Sequence, residues 1–212
     1  MITSGPSALA LIACIVGGYL LGSIPFGVII TRLGGAGDVR QIGSGNIGAT
    51  NVLRTGRRDL ALLTLLGDGG KGVVAVLVAR ALWGESAAAL AGACAFLGHL
   101  FPVWLGFKGG KGVATFFGMM IAAAWPVGLL AGATWIAVAF LLRMSSLAAL
   151  TAVALTPIYA LLLHAGRPVL ALALFAGVLV YIRHHENIRR LLKGEEPKIG
   201  FKKTPPEATD AP

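Results

Sequence analysis

Charge is scarce in this sequence. Asp, Glu, Lys and Arg together make up 13% of its 212 residues, against 56% hydrophobic residues and a mean hydropathy of +0.81. A water-soluble domain of this length could not keep so much apolar side chain off its surface, so a soluble fold is excluded. Acidic residues are scarcer still, nine against 18 basic ones, for a net charge of +9. That excess suits contact with anionic lipid and equally suits binding of phosphate-bearing solutes; charge alone does not choose between them. The two cysteines, Cys14 and Cys94, lie in apolar runs without metal-ligand spacing, so neither a disulfide framework nor a metal site is expected. Both read as packing residues.

What is abundant is small and apolar. Thirty glycines favour close helix contacts in lipid, where helices associate by packing rather than by a hydrophobic drive. The expected fold is all-α, a polytopic membrane protein with seven transmembrane helices near 8–31, 60–82, 87–103, 113–125, 127–142, 146–164 and 168–183. The first run has no basic region before it and no convincing cleavage site, so it is read as a span rather than a signal peptide. The second carries Asp68 and Lys71, which leaves open a shallow helix over 60–67 with the span proper starting at Gly69. With the N-terminus outside and the C-terminus cytoplasmic, 15 of the 18 Lys and Arg fall on the inner side, and Arg80 and Arg167 on the outer. Residues 1–200 then form a single integral-membrane domain, and 201–212, with Pro205 and Pro206, a flexible cytoplasmic tail.

One pentapeptide occurs twice, as Gly69-Gly70-Lys71-Gly72-Val73 and as Gly109-Gly110-Lys111-Gly112-Val113. Both copies are expected at helix N-termini, where exposed backbone N–H groups and the positive end of the dipole make an anion site. Glycine pairs that merely pack helices are the bland alternative. Around the second copy, the run from Gly106 is one residue short of a nucleotide P-loop, and Gly112 stands where Ser or Thr would hold magnesium. It reads as a phosphate cradle without a metal.

Two further segments carry polar chemistry. The loop Gly34 to Arg58 offers Ser44, Asn46, Thr50 and Asn51 as neutral hydrogen-bonding groups and Arg54 as a planar fork for phosphate; turn-forming Ser and Asn are the alternative. After the last span, His184 and Asn187 share a helix face at i and i+3. That histidine could take a proton or hold a hydroxyl, while Arg189, Arg190 and Lys193 also fit a basic helix lying on anionic lipid.

Three motifs, in this order, resemble the acyl-phosphate:glycerol-3-phosphate acyltransferase family of bacterial inner membranes. They are Gly22-Ser23-Ile24-Pro25-Phe26-Gly27 with Gly43 to Asn51 and Arg54, then Gly106 to Thr115, then His184 through Asn187 to Glu196. The resemblance covers the whole chain. It implies seven spans, an external N-terminus and a cytoplasmic active site in the cell inner membrane. It also implies transfer of an acyl group from acyl phosphate to glycerol 3-phosphate, giving lysophosphatidic acid and inorganic phosphate in phospholipid biosynthesis.

The catalytic set expected on that basis is Ser44, Arg54, Lys108, His184 and Asn187. The substrate- and phosphate-binding set is Asn46, Thr50, Asn51, Asp68, Lys71, Gly109, Gly110, Lys111, Gly112, Ser146 and Glu196. Thr50 with Gly109 to Gly112 is assigned to the acyl phosphate head, and the catalytic set to glycerol 3-phosphate. No cofactor, metal or nucleic acid is expected; the partners are the two substrates, membrane lipid and an enzyme that supplies acyl phosphate. An acyl phosphate is already activated, and the sequence offers no nucleophile elbow, which together point to direct transfer rather than an acyl-enzyme. A carrier for a phosphorylated solute is the rival reading, disfavoured because the polar residues gather at one membrane face and no two-half repeat is present.

Overall fold

The computed structural model describes residues 7–199, and the regular structure among them is helical. The expected flexible tail, 201–212, lies outside the described residues. The helices are α1 (Ala8–Ser23), α2 (Phe26–Leu33), α3 (Ala49–Val52), α4 (Arg58–Trp83), α5 (Glu85–Leu100), α6 (Val113–Ala123), α7 (Trp125–Leu142), α8 (Ser145–Leu162), α9 (Arg167–Arg183) and α10 (His185–Leu192), with single 3₁₀ turns at Val39–Gln41, Leu53–Thr55 and Val103–Leu105. Most breaks sit where the sequence punctuates itself: Gly84 at φ 83°, Pro126 in the first turn of α7, and Pro168 in the first turn of α9 after Gly166.

Five stretches are long and apolar enough to cross a membrane: Ala8–Leu33, Arg58–Trp83, Glu85–Leu105, Trp125–Leu142 and Ser145–Leu162. A sixth is reached if α9 and α10, bent by 64°, count as one. The fourth expected span is shorter than a full crossing. It is the 11-residue α6, about 16 Å long at the usual rise, against a hydrocarbon core of about 30 Å. Its C-terminus is closed by Arg80 of α4, whose guanidinium donates to Ala122 O at 2.6 Å and Ala123 O at 2.7 Å while Glu85 lies 2.8 Å from its Nε. That fork satisfies carbonyls which would otherwise end bare beside apolar side chains.

The second span is also simpler than expected, because α4 runs unbroken through Gly69 and there is no separate shallow helix. The first is interrupted instead. Pro25 has no N–H to give, Val28 N bonds Pro25 O, and Ile24 O takes Phe26 N at 3.1 Å in place of a helical i+4 donor.

The interior is built around α5, α6 and α9, with Phe96, Leu100, Phe116, Met119, Met120 and Val180 fully buried. α6 packs closely on α4: a Cβ on Gly118 would run into the Gly69 carbonyl, and one on Gly72 would sit 2.7 Å from Thr115 O. Small residues thus let two backbones approach, which maximises dispersion contact where burial from water gives nothing. Outward-facing Leu62, Leu66, Phe140, Leu141 and Val178 remain exposed, a surface suited to lipid.

Candidate functional site

The loop between α2 and α4 is organised by one side chain. Asn51, buried at the end of α3, points its Nδ2 at the carbonyls of Val39 (2.9 Å), Ile42 (2.8 Å) and Asn46 (2.8 Å). Its Oδ1 accepts from Ser44 N at 3.1 Å, Ser44 Oγ at 3.3 Å and Arg54 at 3.3 Å. An amide carries two donors and one two-lone-pair acceptor, so Asn51 is saturated by the loop. Asn46 is similarly engaged, its Oδ1 taking Gly48 N at 3.0 Å. Asp38 caps the first 3₁₀ turn and ties Arg32 at 2.8 Å and Arg40 at 2.5 Å, which holds its carboxyl well below the usual range. The loop therefore arrives rigid, with Ser44, Thr50 and Arg54 exposed on its rim.

The second loop folds back onto the end of α5. Gly109 N donates to Leu100 O at 3.1 Å and Gly110 N to His99 O at 3.1 Å, while Arg183 donates to Gly109 O at 2.8 Å and Gly110 O at 3.1 Å. Thus the first two glycines of the expected cradle have their amides engaged, and the open N-terminus of α6 begins beyond them, after Gly112 at φ 83°. Lys111 reaches across to the Asn187 side-chain oxygen. Burial lowers its pKa, and the charge of Arg190 adds to that. Arg54 acts in the same direction, so the rim of the first loop lies within electrostatic reach of Lys111. Leu105 packs into the apolar base of the first loop with Val39, Ile47 and Val52, which brings the exposed Lys108 to that side.

The third segment turns at His184 and is closed by the chain after α10. Glu196 accepts from Ser146 Oγ at 2.6 Å, Asn187 Nδ2 at 2.6 Å and Arg190 Nε at 2.8 Å. Burial pushes the Glu196 carboxyl up, but those three donors outweigh it and hold the group below its ordinary value. Just past the end of α9, His184 is 2% exposed, and its Nδ1 lies 2.8 Å from Val180 O. Burial drives its pKa down to about 4, so the imidazole is neutral near pH 7. A carbonyl can only accept; Nδ1 therefore carries the proton and Nε2 offers a lone pair.

Arg54, Lys108, Lys111, Asn187, His184, Ser146 and Glu196 thus belong to connected segments at one end of the bundle, together with Arg183 and Arg190. The cationic excess suits a phosphate dianion, and the neutral imidazole suits a hydroxyl. Asp68 and Lys71 are a different matter. They lie inside α4, 1% and 3% exposed, paired to each other at 2.9 Å, and the first pentapeptide copy is helix interior rather than a helix N-terminus. His99, Arg183 and Arg190 stood outside the expected set. Arg183 precedes Asn187 by four and Arg190 follows it by three, helical neighbour spacings that could have drawn both in.

A family model described as glycerol-3-phosphate acyltransferase matches residues 12–194. The glycerol-3-phosphate acyltransferase of Caulobacter vibrioides (strain NA1000 / CB15N) is 70% identical over 200 residues, covering 93% of this chain and 92% of that protein. The protein of the same name from Cereibacter sphaeroides is 63% identical over 194 residues, covering 92% of each. Among solved structures, the chain is similar to PlsY (YgiH), an integral membrane glycerol 3-phosphate acyltransferase. Its glycerol 3-phosphate form has a TM-score of 0.85 at 38% identity, covering 90% of this chain and 96% of that one. Its lysophosphatidic acid form has a TM-score of 0.84 at 37% identity, with the same coverage.

Proposed function

The chain belongs to the glycerol-3-phosphate acyltransferase family, and on that premise we propose that it transfers an acyl group from acyl phosphate to glycerol 3-phosphate. The products are lysophosphatidic acid and inorganic phosphate, and the first committed acyl chain of a phospholipid is thereby attached. The observation that carries the reading is the cationic set around Lys111, joined through Asn187 and Glu196 to Ser146, with the buried neutral imidazole of His184 within reach of the Lys111 charge.

Each part has a physical task. In the reaction the glycerol hydroxyl adds to the acyl carbonyl, the carbon–oxygen bond to phosphate breaks, and phosphate leaves with the electron pair. The donor is a mixed anhydride, so approach and charge matter more than activation. Arg54 and Lys108 hold the phosphate of glycerol 3-phosphate, with Ser44 donating beside them. Lys111 and the first free amides of α6 take the phosphate that departs. His184 Nε2 accepts from the attacking hydroxyl and orients it. An imidazole whose conjugate acid sits at about 4 is a weak base, so the hydroxyl proton passes to an anionic oxygen of the leaving phosphate.

In the topology that goes with this reading, seven segments pack in the inner membrane, the short α6 and the bent α9 among them. The N-terminus is outside and the site is cytoplasmic, supported by the distribution of basic residues. Acyl phosphate then comes from an enzyme on the cytoplasmic side.

Purified protein, given glycerol 3-phosphate and either palmitoyl phosphate, palmitoyl-CoA or palmitoyl-acyl carrier protein, tests the donor. Lysophosphatidic acid and phosphate are expected in equal amounts from palmitoyl phosphate alone, with EDTA present and no nucleotide added. Equal turnover with a thioester donor, or a requirement for magnesium, overturns the reading.

A further inference from the structure

Three ionisable side chains lie together inside the bundle, behind the Gly109–Lys111 turn. Asp68 of α4 is 1% exposed, Lys71 of α4 is 3% exposed and His99 of α5 is 3% exposed. Groups of this kind are costly in an apolar layer and by default mark function. A buried ion pair is also weak evidence for stability, because desolvation offsets most of the Coulomb gain. What the cluster touches indicates its task. Lys71 donates to Asp68 Oδ1 at 2.9 Å and to Ile24 O at 3.1 Å, a carbonyl at the break between α1 and α2 that also takes Phe26 N. Thr115 of α6 donates to the backbone carbonyl of Asp68 at 2.8 Å. His99 Nδ1 stands 3.4 Å from Asp68 Oδ1 and has no hydrogen-bond partner.

The other side of His99 leads outward. Its backbone carbonyl takes the Gly110 amide, and its ring lies so close to Gly110 that a Cβ there would collide with Nε2. Gly110 and Gly109 in turn accept from Arg183, the residue before His184, and Gly110 precedes Lys111. One continuous set of contacts therefore joins the buried carboxylate to both groups that face the substrates.

We propose that Asp68, Lys71 and His99 are a positioning unit, which fixes the Gly109–Lys111 turn against α5 and through it sets Lys111, Arg183 and His184 for acyl transfer. The proposal rests on the reaction assigned above. It gives the first pentapeptide copy a task at the site without any contact to phosphate.

The test removes both charges at once, with Asp68→Leu combined with Lys71→Met, because a charge-free pair of similar volume leaves no uncompensated ion behind. Amide exchange of the purified protein without substrate is read first. Gly109 and Gly110 should exchange about tenfold faster or more, while α4 and α5 keep their protection and the thermal midpoint holds. With acyl phosphate and glycerol 3-phosphate, kcat should fall by about tenfold or more. A second pair keeps the test decisive if that variant does not insert: His99→Leu should show the same losses, and His99→Gln, which keeps a side-chain N–H, should retain about a third or more of wild-type kcat. Wild-type exchange and kcat in the folded double variant, wild-type kcat in His99→Leu, or a His99→Gln as poor as His99→Leu each overturn the proposal. Failure of the reaction reading is told apart, since it appears as wild-type protein inactive with acyl phosphate and leaves the exchange result standing.

Discussion

Gly69–Val73 and Gly109–Val113 are the same five residues in two different structures. The first copy is the middle of α4; the second is a turn that opens into α6. Their neighbours decide the difference. Three residues before Lys71 stands Asp68, so an i,i+3 pair at 2.9 Å holds the lysine along its own helix. Three residues before Lys111 stands Lys108, which offers no opposite charge, and α5 has already ended at Leu100 ahead of Pro102. Lys111 then finds its partner across the bundle in Asn187. The glycines do different work too: in α4 they admit the backbone of α6, and in the turn they admit the ring of His99.

The largest expected effect separates the two lysines. Lys71→Ala leaves a buried carboxylate uncompensated and should destabilise the fold by roughly 3–5 kcal/mol, read as a lower midpoint in thermal denaturation. Lys111→Ala should leave that midpoint in place and lower kcat/KM by on the order of 10²–10³, as expected for removing one group from a transition-state charge cluster. The contrast breaks if Lys71→Ala melts like the wild type, or if Lys111→Ala retains its activity.

The contrast also marks what was legible in the sequence. Helix class, the apolar runs and the polar segments follow from side-chain chemistry read locally, and so does the i,i+3 relation of His184 and Asn187. The interior location of Lys71 does not, because helix continuation through two glycines depends on α6 packing against them. The engaged amides of Gly109 and Gly110 depend on the chain reversal at Pro102, a contact with residues nine and eleven positions earlier. From the sequence Asn51 reads as a binding residue, with a turn residue as the alternative, and only the convergence of three carbonyls on its Nδ2 assigns it to the loop. The shortness of α6 was not legible for a related reason: it is as apolar as the longer helices, and its end meets Arg80, 42 residues away.

A smaller effect concerns His184, which lies beside the second lysine and whose pKa is depressed first by burial and then by that neighbour's charge. With the native pKa at about 4, lowering the pH from 8 to 5 should not protonate this residue, and kcat should show no histidine-like fall near 6.5. His184→Gln should mainly raise KM for glycerol 3-phosphate and keep kcat within about tenfold. A fall in kcat centred near 6.5 that disappears in His184→Gln makes His184 a general base instead. Stability has its own sign. The unfolded chain takes a proton at this residue below 6.5 and the native one does not until about 4, so the contribution is full above 6.5 and is lost as pH falls through that window.

The smallest effect lies one contact further from the second copy. Asn187 holds Lys111 while its own Nδ2 is held by Glu196, and Glu196 is anchored from below by Ser146 Oγ at 2.6 Å. Ser146→Ala removes one of three donors from a carboxylate that keeps Asn187 and Arg190, so no charge is left unpaired. The loss should stay near the lower end for a charged hydrogen bond, about 1.5 kcal/mol or roughly tenfold in kcat/KM. Glu196→Gln removes the charge that Arg190 pairs with as well, and should cost more than Ser146→Ala. Measured side by side, the two variants rank the chain of contacts behind Lys111. If Ser146→Ala equals Lys111→Ala in its loss of kcat/KM, Ser146 touches substrate directly and is not a support for Glu196.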